Sequence, residues 1–444
     1  MRIIADLHIH SPFARAVSKD MTLENLDYWA GVKGITVMGT GDFTHPAWIK
    51  EIKKKLEPAE KGLYKLIESA RKSSRSMKTV GNRFHVGTQT ILFEQSREDS
   101  TRFLLTVEIS SIYSKGGKTR RVHNLIFAPS IEAAEKINAA LGWQGNLKSD
   151  GRPIVGVGSK ELLKLALDAD PDCFFVPAHA WTPWFSVFGS KSGFDTIEEC
   201  FDEYSKYIYA LETGLSSDPG MNWRLSALDK YALISNSDSH SLRRIGREAN
   251  ILESALSYKG IIEAIKSRDP KQFLSTIEFF PEEGMYHYDG HRACKTRLAP
   301  AETRRLNKLC PNCGKPVTVG VVNRVEELAD RPEGFRPENA VPYKNMVPLD
   351  EIIAEAIGVV SPLAKSVQEE YFGLIKEFGN EIGILFDIPG SDLRGKVRPE
   401  ILEGISRVRE GRLYIEPGYD GEYRHVKIFG EGEKQTKVGQ TSLF

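Results

Sequence analysis

The stretch Ile3-Ile4-Ala5-Asp6-Leu7-His8-Ile9-His10-Ser11 decides how this chain is read. An apolar run ends in two imidazoles separated by one residue. Residues two apart on a strand face the same way, so His8 and His10 project together from one strand end. Two imidazoles in that relation suit one metal ion or two adjacent ones. Alone, an H-x-H pair also fits ordinary surface or core histidines. Its weight comes from four further clusters along the chain.

Each of the four closes an apolar run. Gly39-Thr40-Gly41-Asp42-Phe43-Thr44-His45-Pro46 offers Asp42 and His45 after a turn that two glycines permit. Glu108 ends Leu104-Leu105-Thr106-Val107, where a carboxylate is costly unless paired or metal-bound. His123 follows the loop Lys115–Arg121, His179 ends Val176-Pro177-Ala178, and Ser235-Asn236-Ser237-Asp238-Ser239-His240 supplies Asp238 and His240. Each cluster alone also reads as an ordinary turn. Together they gather His8, His10, His45, His123, His179 and His240, six of the 10 histidines, with three carboxylates at strand ends of one region.

The apolar runs Ile3–Ile9, Gly34–Met38, Phe103–Ser110, His123–Phe127, Cys173–Ala178, Ile208–Glu212 and Leu233–Ser235 are the candidate strands. Helical patterns lie between them, including Leu23–Gly31, Ala47–Leu56, Gly62–Ser73, Ile131–Leu141, Ser159–Asp168, Thr196–Phe201 and Tyr258–Ser267. This alternation predicts an α/β parallel sheet or barrel over residues 1–285. Barrel enzymes place their chemistry at the C-terminal ends of strands, where the polar clusters fall.

Residues 286–330 change character. Cys294 precedes Cys310-Pro311-Asn312-Cys313-Gly314-Lys315, a knuckle whose turn points two thiolates at one ion. The spacing suits a structural zinc, with His291 as fourth ligand and His287 as the alternative. Arg292, Arg304 and Arg305 belong to a basic run in this module, which suggests a nucleic-acid backbone as partner. Residues 331–430 read as a Pro/Gly-rich linker or clasp, then helices at Leu349–Val359, Pro362–Phe378 and Pro399–Glu410, then a hairpin over Arg412–Phe429. Residues 431–444 read as a flexible tail.

The 444 residues carry 60 Lys+Arg and 60 Asp+Glu. This zero balance excludes nucleic-acid binding by bulk positive charge, so any such charge must be local. Lys118, Arg120, Arg121, Arg243 and Arg244 are candidates to clamp phosphate oxygens. Trp181 and Trp184, with Phe185 and Phe188 nearby, are candidates to stack on bases or wedge a flipped nucleotide. No apolar run reaches the roughly 18 residues of a spanning helix, so no membrane partner is expected. The polar start lacks a signal peptide, which makes the cytoplasm the expected location. Five cysteines, an odd number, argue against a disulfide framework.

The ordered set H-x-H, D…H, E, H, H, D-x-H resembles the PHP (polymerase and histidinol phosphatase) family. That resemblance implies a distorted (β/α)7 barrel whose metals hydrolyse phosphoesters. It implies that His8, His10, Glu108 and Asp238 hold one metal and form the catalytic set. Glu108, His123 and His179 would hold a second, with Glu108 bridging. His240 with His45 or Asp42 would hold a third. The further histidine that many members carry downstream of the H-x-H pair falls on Ala16. Two or three divalent ions (Zn, Mn or Mg) are therefore expected beside one structural zinc. Ions about 3.5–4 Å apart can activate a hydroxide for attack on phosphorus.

With the knuckle and the helical region included, the arrangement is similar to the endonuclease Q family. That implies DNA repair by cleavage on the 5′ side of uracil, hypoxanthine, xanthine or an abasic site. The implied products carry 3′-hydroxyl and 5′-phosphate ends. The end of the tail, with Gln440, Leu443 and Phe444, resembles the start of a sliding-clamp (PCNA) binding peptide. Two alternatives are a small-molecule phosphatase of the histidinol-phosphate type and a non-catalytic DNA-binding or clamp-adaptor protein.

Overall fold

Seven strands fall where the apolar runs predict them in the structure, a computed structural model that describes residues 1–71, 84–86, 89–91 and 101–430. The tail with Gln440, Leu443 and Phe444 lies outside the described residues. The strands are β1 (Arg2–Asp6), β2 (Val37–Gly39), β3 (Arg102–Lys115), β4 (Lys118–Ala128), β5 (Phe174–Pro177), β6 (Ala210–Glu212) and β7 (Ala232–Ile234). β1, β2 and β3 run parallel, with Ala5 opposite Val37 and Met38 opposite Phe103. β6 and β7 are also parallel.

β4 breaks the parallel rule, being antiparallel to both β3 and β5. The cause is local. β3 and β4 are joined by Gly116-Gly117, both left-handed at φ 61° and 72°. So tight a turn joins only antiparallel strands, because parallel neighbours need a long crossover.

The ring closes through hydrogen bonds and a strand bridge. Ala180 N–H donates to Glu212 O at 2.9 Å, linking the ends of β5 and β6. Leu7 N–H donates to Asn236 Oδ1 at 2.8 Å, and Ile9 bridges Ser239 in parallel, linking β7 to β1. Three more strands extend from β1. β8 (Ala249–Glu253) and β9 (Phe273–Glu278) add antiparallel, and β10 (Tyr343–Asn345), from the Pro/Gly-rich clasp, adds parallel to β9.

Helices α1 (Leu23–Lys33), α2 (Pro46–Lys55), α3 (Ile131–Leu141), α4 (Ser159–Ala169) and α5 (Tyr258–Ser267) follow successive strands. Thr22, Ser130 and Ser257 cap α1, α3 and α5 by accepting the N–H three residues on, which stabilises a helix start by about 1 kcal/mol. Each helix turns an apolar stripe inward, such as Ala134, Ile137 and Leu141 of α3. The expected helix over Gly62–Ser73 differs. Tyr64–Leu66 is a short strand paired antiparallel with Leu56–Pro58. Tyr64 and Leu66 are buried with Lys65 between them. That period of two outweighs the helical spacing.

The C-terminal region contains α6 (Val321–Leu328), α7 (Leu349–Ala356), α8 (Lys365–Phe378) and α9 (Pro399–Glu410), then a hairpin of Tyr414–Ile415 with Val426–Lys427. Its core is continuous with that of the barrel, Trp29 of α1 meeting Phe372 of α8 edge-on at 6.1 Å. A buried ion pair, Lys33 Nζ to Glu381 at 2.5 Å, joins the same surfaces, and Glu381 also accepts from Tyr371 and the Leu349 N–H. A buried charge is tolerable only when so paired. The fold is thus the expected distorted α/β barrel, followed by a Cys/His module and a helical region. Among the described residues no helix is long and apolar enough to cross a membrane.

Candidate metal centre

β1 ends at Asp6, so His8 and His10 leave the strand at the barrel mouth. Asp6 is fully buried and accepts from Ser237 N–H at 3.1 Å and Gly246 N–H at 2.9 Å. It thereby pins the turn that carries Asp238. Burial pushes the Asp6 carboxyl up to about 6. His10 N–H donates to Ser239 O at 3.0 Å, which lays the H-x-H pair beside Asp238.

Both imidazoles are held from behind. His8 Nδ1 meets Glu212 Oε1 at 3.0 Å, and His10 Nδ1 meets Asp42 Oδ1 at 3.1 Å. Their Nε2 atoms point inward. His10 Nε2 lies 3.0 Å from Asp238 Oδ1 and 3.3 Å from Glu108 Oε2. His8 Nε2 lies 3.6 Å from each of the same two carboxylates and has no hydrogen-bond partner despite full burial. An orphaned imidazole nitrogen facing two carboxylates fits a divalent cation. A carboxylate on the remote ring nitrogen is the usual support of a metal-binding histidine.

Glu108 divides its oxygens. Oε2 faces His8 and His10, while Oε1 lies 2.6 Å from His123 Nδ1 and 3.0 Å from His179 Nε2. Two groups therefore converge, His8–His10–Glu108–Asp238 and Glu108–His123–His179, each with ligand atoms within 4.8 Å of one another. Burial alone would raise the Glu108 carboxyl, but His123, Arg152 and His10 hold it well below the usual range. Asp238 is lowered in the same way, with His8 and His10 outweighing burial. Burial lowers His8 and His10, yet Glu212, Asp238 and Asp42 leave both raised overall. Burial takes His123 down to about 4.

The backbone is strained at this site. Asp42, His179 and Asp238 all have positive φ, at 47°, 28° and 45°, a region disfavoured for residues with a Cβ. Gly41 is required beside them, since a Cβ there would stand 2.3 Å from Ile9 O.

The third expected group does not converge. Asp42 is occupied in holding His10 and accepting Ser11 N–H at 2.6 Å. His45 stands at the N-terminus of α2 and stacks on Phe13 with centroids 4.5 Å apart. His240 packs on His10 at 4.6 Å, with Nδ1 turned to Asp238 O at 2.8 Å.

The second centre is local. His291, Cys294, Cys310 and Cys313 converge, with Cys313 Sγ 3.4 Å from His291 Nδ1. His287 is buried against Tyr288 instead and stands outside this group. Gly314, at φ 71°, lets its N–H return to Cys310 O at 2.8 Å. The Thr296 hydroxyl, and behind it the N–H groups of Asn312 and Cys313, bring the Cys310 thiol down to about 6, which favours the thiolate a metal needs. Asp289 anchors the module to α6 through Gly320 N–H and Asn323. Arg324 of α6 reaches Phe188 O at 3.0 Å and Phe194 O at 3.1 Å, tying the module to the loop after His179.

Several residues expected to contact DNA are placed otherwise. Trp181 is fully buried, packed on Phe188 and donating to Asn222 Oδ1 at 2.8 Å, so no base reaches its ring. Trp184 remains half-buried, edge-on to Tyr286. Phe185 adopts φ 63° and lies 4.7 Å from the His123 ring. Arg120 donates to Gly193 O and lies over Phe194. Arg243 pairs with Asp350 and Arg244 with Glu351, so both clasp the C-terminal region. Arg121 lies beside Phe185, while Lys118, Arg292, Arg304 and Arg305 are exposed. Arg304 stands 3.6 Å from Glu326.

Two residues escape a reading of the sequence. Glu212 closes the apolar run Ile208–Leu211, the same signal that singles out Glu108. Arg152 lies in an irregular loop with no such signal, yet its guanidinium meets Glu108 Oε2 at 3.1 Å.

Residues 348–412 match the family model described as the MJ0043 C-terminal domain. The chain is 33% identical over 312 residues to the uncharacterized protein MJ0043 of Methanocaldococcus jannaschii, covering 66% of this chain and 38% of that relative. It thus spans well under half of that protein's length. The fold is similar to the lesion-specific endonuclease PfuEndoQ of Pyrococcus furiosus, with TM-score 0.81 and 28% identity, covering 99% of this chain and 98% of that one. It is equally similar to an endonuclease Q solved in complex with a 27-mer duplex substrate carrying an abasic lesion at the active site, with TM-score 0.80 and 29% identity over 99% of each chain. The likeness in fold to endonuclease Q covers 99% of the chain and so takes in barrel, Cys/His module and helical region alike.

Proposed function

We propose that this protein is a metal-dependent DNA endonuclease that cuts at lesions. In this reading it cleaves 5′ to deaminated bases (uracil, hypoxanthine, xanthine) and abasic sites, leaving 3′-hydroxyl and 5′-phosphate ends. The observation that carries the reading is Glu108. One buried carboxylate faces two imidazole sets, within a fold similar over 99% of the chain to an endonuclease Q bound to an abasic duplex.

His8, His10, Glu108 and Asp238 would hold one divalent ion, and Glu108, His123 and His179 a second. Such ions supply Lewis acidity and make water a competent nucleophile near neutral pH. The rest belongs to the chain. Glu212 and Asp42 fix the tautomers of His8 and His10 by accepting from Nδ1, so that each Nε2 presents a lone pair inward. Arg152, partly exposed beside Glu108, is placed to take a non-reacting phosphate oxygen. Phe185 and Trp184 border His123 and the Cys/His module, where they would face an unstacked nucleotide. His291, Cys294, Cys310 and Cys313 would hold a structural zinc, a closed four-ligand set that leaves no position for chemistry. Lys118, Arg121, Arg292, Arg304 and Arg305 would contact the DNA backbone.

The test uses metal-replete protein and duplexes carrying a single uracil, hypoxanthine or abasic site, with both cut ends mapped. Cutting 5′ to the lesion is expected. Intact duplexes in all three cases, with turnover of a small phosphomonoester, would move the reading to a phosphatase. The clamp contact through Gln440, Leu443 and Phe444 belongs to the same proposal. Co-elution with a sliding clamp that is lost on deleting residues 431–444 would support it.

A further inference from the structure

The loop after the H-x-H pair carries an aromatic residue that the site does not use. Phe13 is 37% exposed, large for an aromatic ring held on a structured loop. One of its faces is covered by His45, nearly parallel at 18° and with centroids 4.5 Å apart, and Trp48 flanks the pair at 6.1 Å. The His45 ring stands at the head of α2, buried beside the Lys148 backbone. Phe13 is thus a backed ring with an open side.

Its position is tied to the metal centre from two directions. Asp42, three residues before His45, holds His10 Nδ1 at 3.1 Å and the Ser11 N–H at 2.6 Å. From the other direction, Phe13 O accepts Gly151 N–H at 3.1 Å, and the next residue, Arg152, meets Glu108 at 3.1 Å. Phe13 is thus joined to the surroundings of the cluster through Ser11, whose Oγ accepts the Phe13 N–H at 3.3 Å, and through Gly151. The same loop carries exposed Arg15 and Lys19, and exposed Lys148 lies next to the backbone that meets His45; Asp20 and Asp150, the latter accepting the Arg15 N–H at 3.1 Å, are the carboxylates nearby. An open ring whose surround carries three cations against two carboxylates fits a nucleotide: a π-face for the base and net positive charge for the phosphates.

We infer that Phe13, backed by His45, is a stacking platform for an unpaired base next to the cleaved phosphate, with Arg15 and Lys148 taking the flanking backbone. This rests on the nuclease reading and deepens it. Phe13 is a positioning residue, because it touches the substrate's flank and not the reacting atoms. Phe185 lies beside His123 and Trp184 beside Tyr286, while Phe13 stands on the loop that follows His10, so the two aromatic groups would hold different nucleotides of one distorted strand.

The experiment compares Phe13→Ala, Phe13→Trp and Arg15→Ala with the parent chain on a duplex carrying one abasic site. Steady-state cutting is measured together with the fluorescence of 2-aminopurine placed in turn at each nucleotide flanking the cleaved phosphate. The fluorescence is read in an Asp238→Asn background that leaves the duplex intact. Phe13→Ala should raise KM about tenfold with a smaller change in kcat, in line with the loss of one base–aromatic stack. It should also abolish the quenching of 2-aminopurine at one flanking position. Phe13→Trp should restore both, and Arg15→Ala should flatten the salt dependence of KM without changing the quench. A fall in kcat and quench that Phe13→Trp does not rescue would mark Phe13 as a packing residue and overturn the inference. So would cutting by Phe13→Ala within about twofold of the parent. Failure of the parent chain to cut the duplex would overturn the nuclease reading and the platform with it.

Discussion

The barrel mouth and the Cys/His module each gather metal-ligating side chains, and they do so in opposite ways. In the barrel the ligands run from His8 to Asp238 and come from five strands, Glu108 and His123 from within β3 and β4 and the others from just past β1, β5 and β7, nearly all buried. In the module they run from His291 to Cys313, within one short hairpin and one knuckle, half-buried or exposed except for Cys310. The first group exists only when the whole ring has closed. The second needs little more than its own turn. The barrel shares one carboxylate between two sets and keeps Arg152 and Asp238 partly exposed, as a site open to substrate requires. The module directs four ligands at one point, as a structural site does.

The largest effect expected from this contrast is on Glu108. Glu108→Gln weakens both barrel sets at once and should lower cutting by at least about a thousandfold, while the Cys/His module keeps its ion. Metal content per chain measured beside activity checks both halves. Asp238→Ala and His8→Ala should likewise abolish nicking while leaving duplex binding largely intact, as a gel-shift assay would read. Full nicking by both would refute the ligand assignment.

A step smaller, Glu212→Gln removes the support of His8 Nδ1 without removing a ligand, and should cost about 10- to 100-fold in metal affinity or activity. In the module, Cys310→Ala should lower the metal content per chain and weaken lesion-duplex binding, with little loss of small-diester hydrolysis by the barrel. An equal loss of both would mean that the two centres are not as separable as their construction implies.

The smallest effect is on stability against pH. Burial pushes Glu278 and Glu283 each up to about 8. In the unfolded chain they ionise near 4.5, so between about 4.5 and 8 the native state holds protons that the unfolded state has lost. Stability from this source is full below about 4.5 and falls as pH rises towards 8. Melting temperature should therefore decline over that window, and Glu278→Gln with Glu283→Gln should flatten the decline.

Much of the barrel site is legible in the sequence because its signals are local. The one-residue spacing marks His8 and His10 as a pair that faces one way even just past the end of β1, and Glu108 and Asp238 close apolar runs. Glu212 carries the same signal as Glu108, but no histidine stands near it in sequence to mark it as part of a site. Arg152 is hidden, since only the folded loop brings its guanidinium to Glu108. The aromatic cluster after His179 misleads in part, because composition does not tell a ring that faces solvent from one that fills the core. Trp181 does the second. Arg243 and Arg244 read as free cations until the C-terminal region supplies Asp350 and Glu351 as partners. The β3–β4 pair reads as parallel from strand order alone, which does not reveal that Gly116-Gly117 makes the connection too short for a crossover.

The divided carboxylate of Glu108 has a thermodynamic consequence. Its two oxygens belong to one rigid group, so an ion on one side fixes the torsion and withdraws charge from the other side. Occupancies of the two barrel sets are then linked, and by reciprocity the effect of the first on the second equals that of the second on the first. A metal titration of the barrel should depart from the sum of two independent isotherms, and the size of the departure measures the coupling that this single side chain transmits.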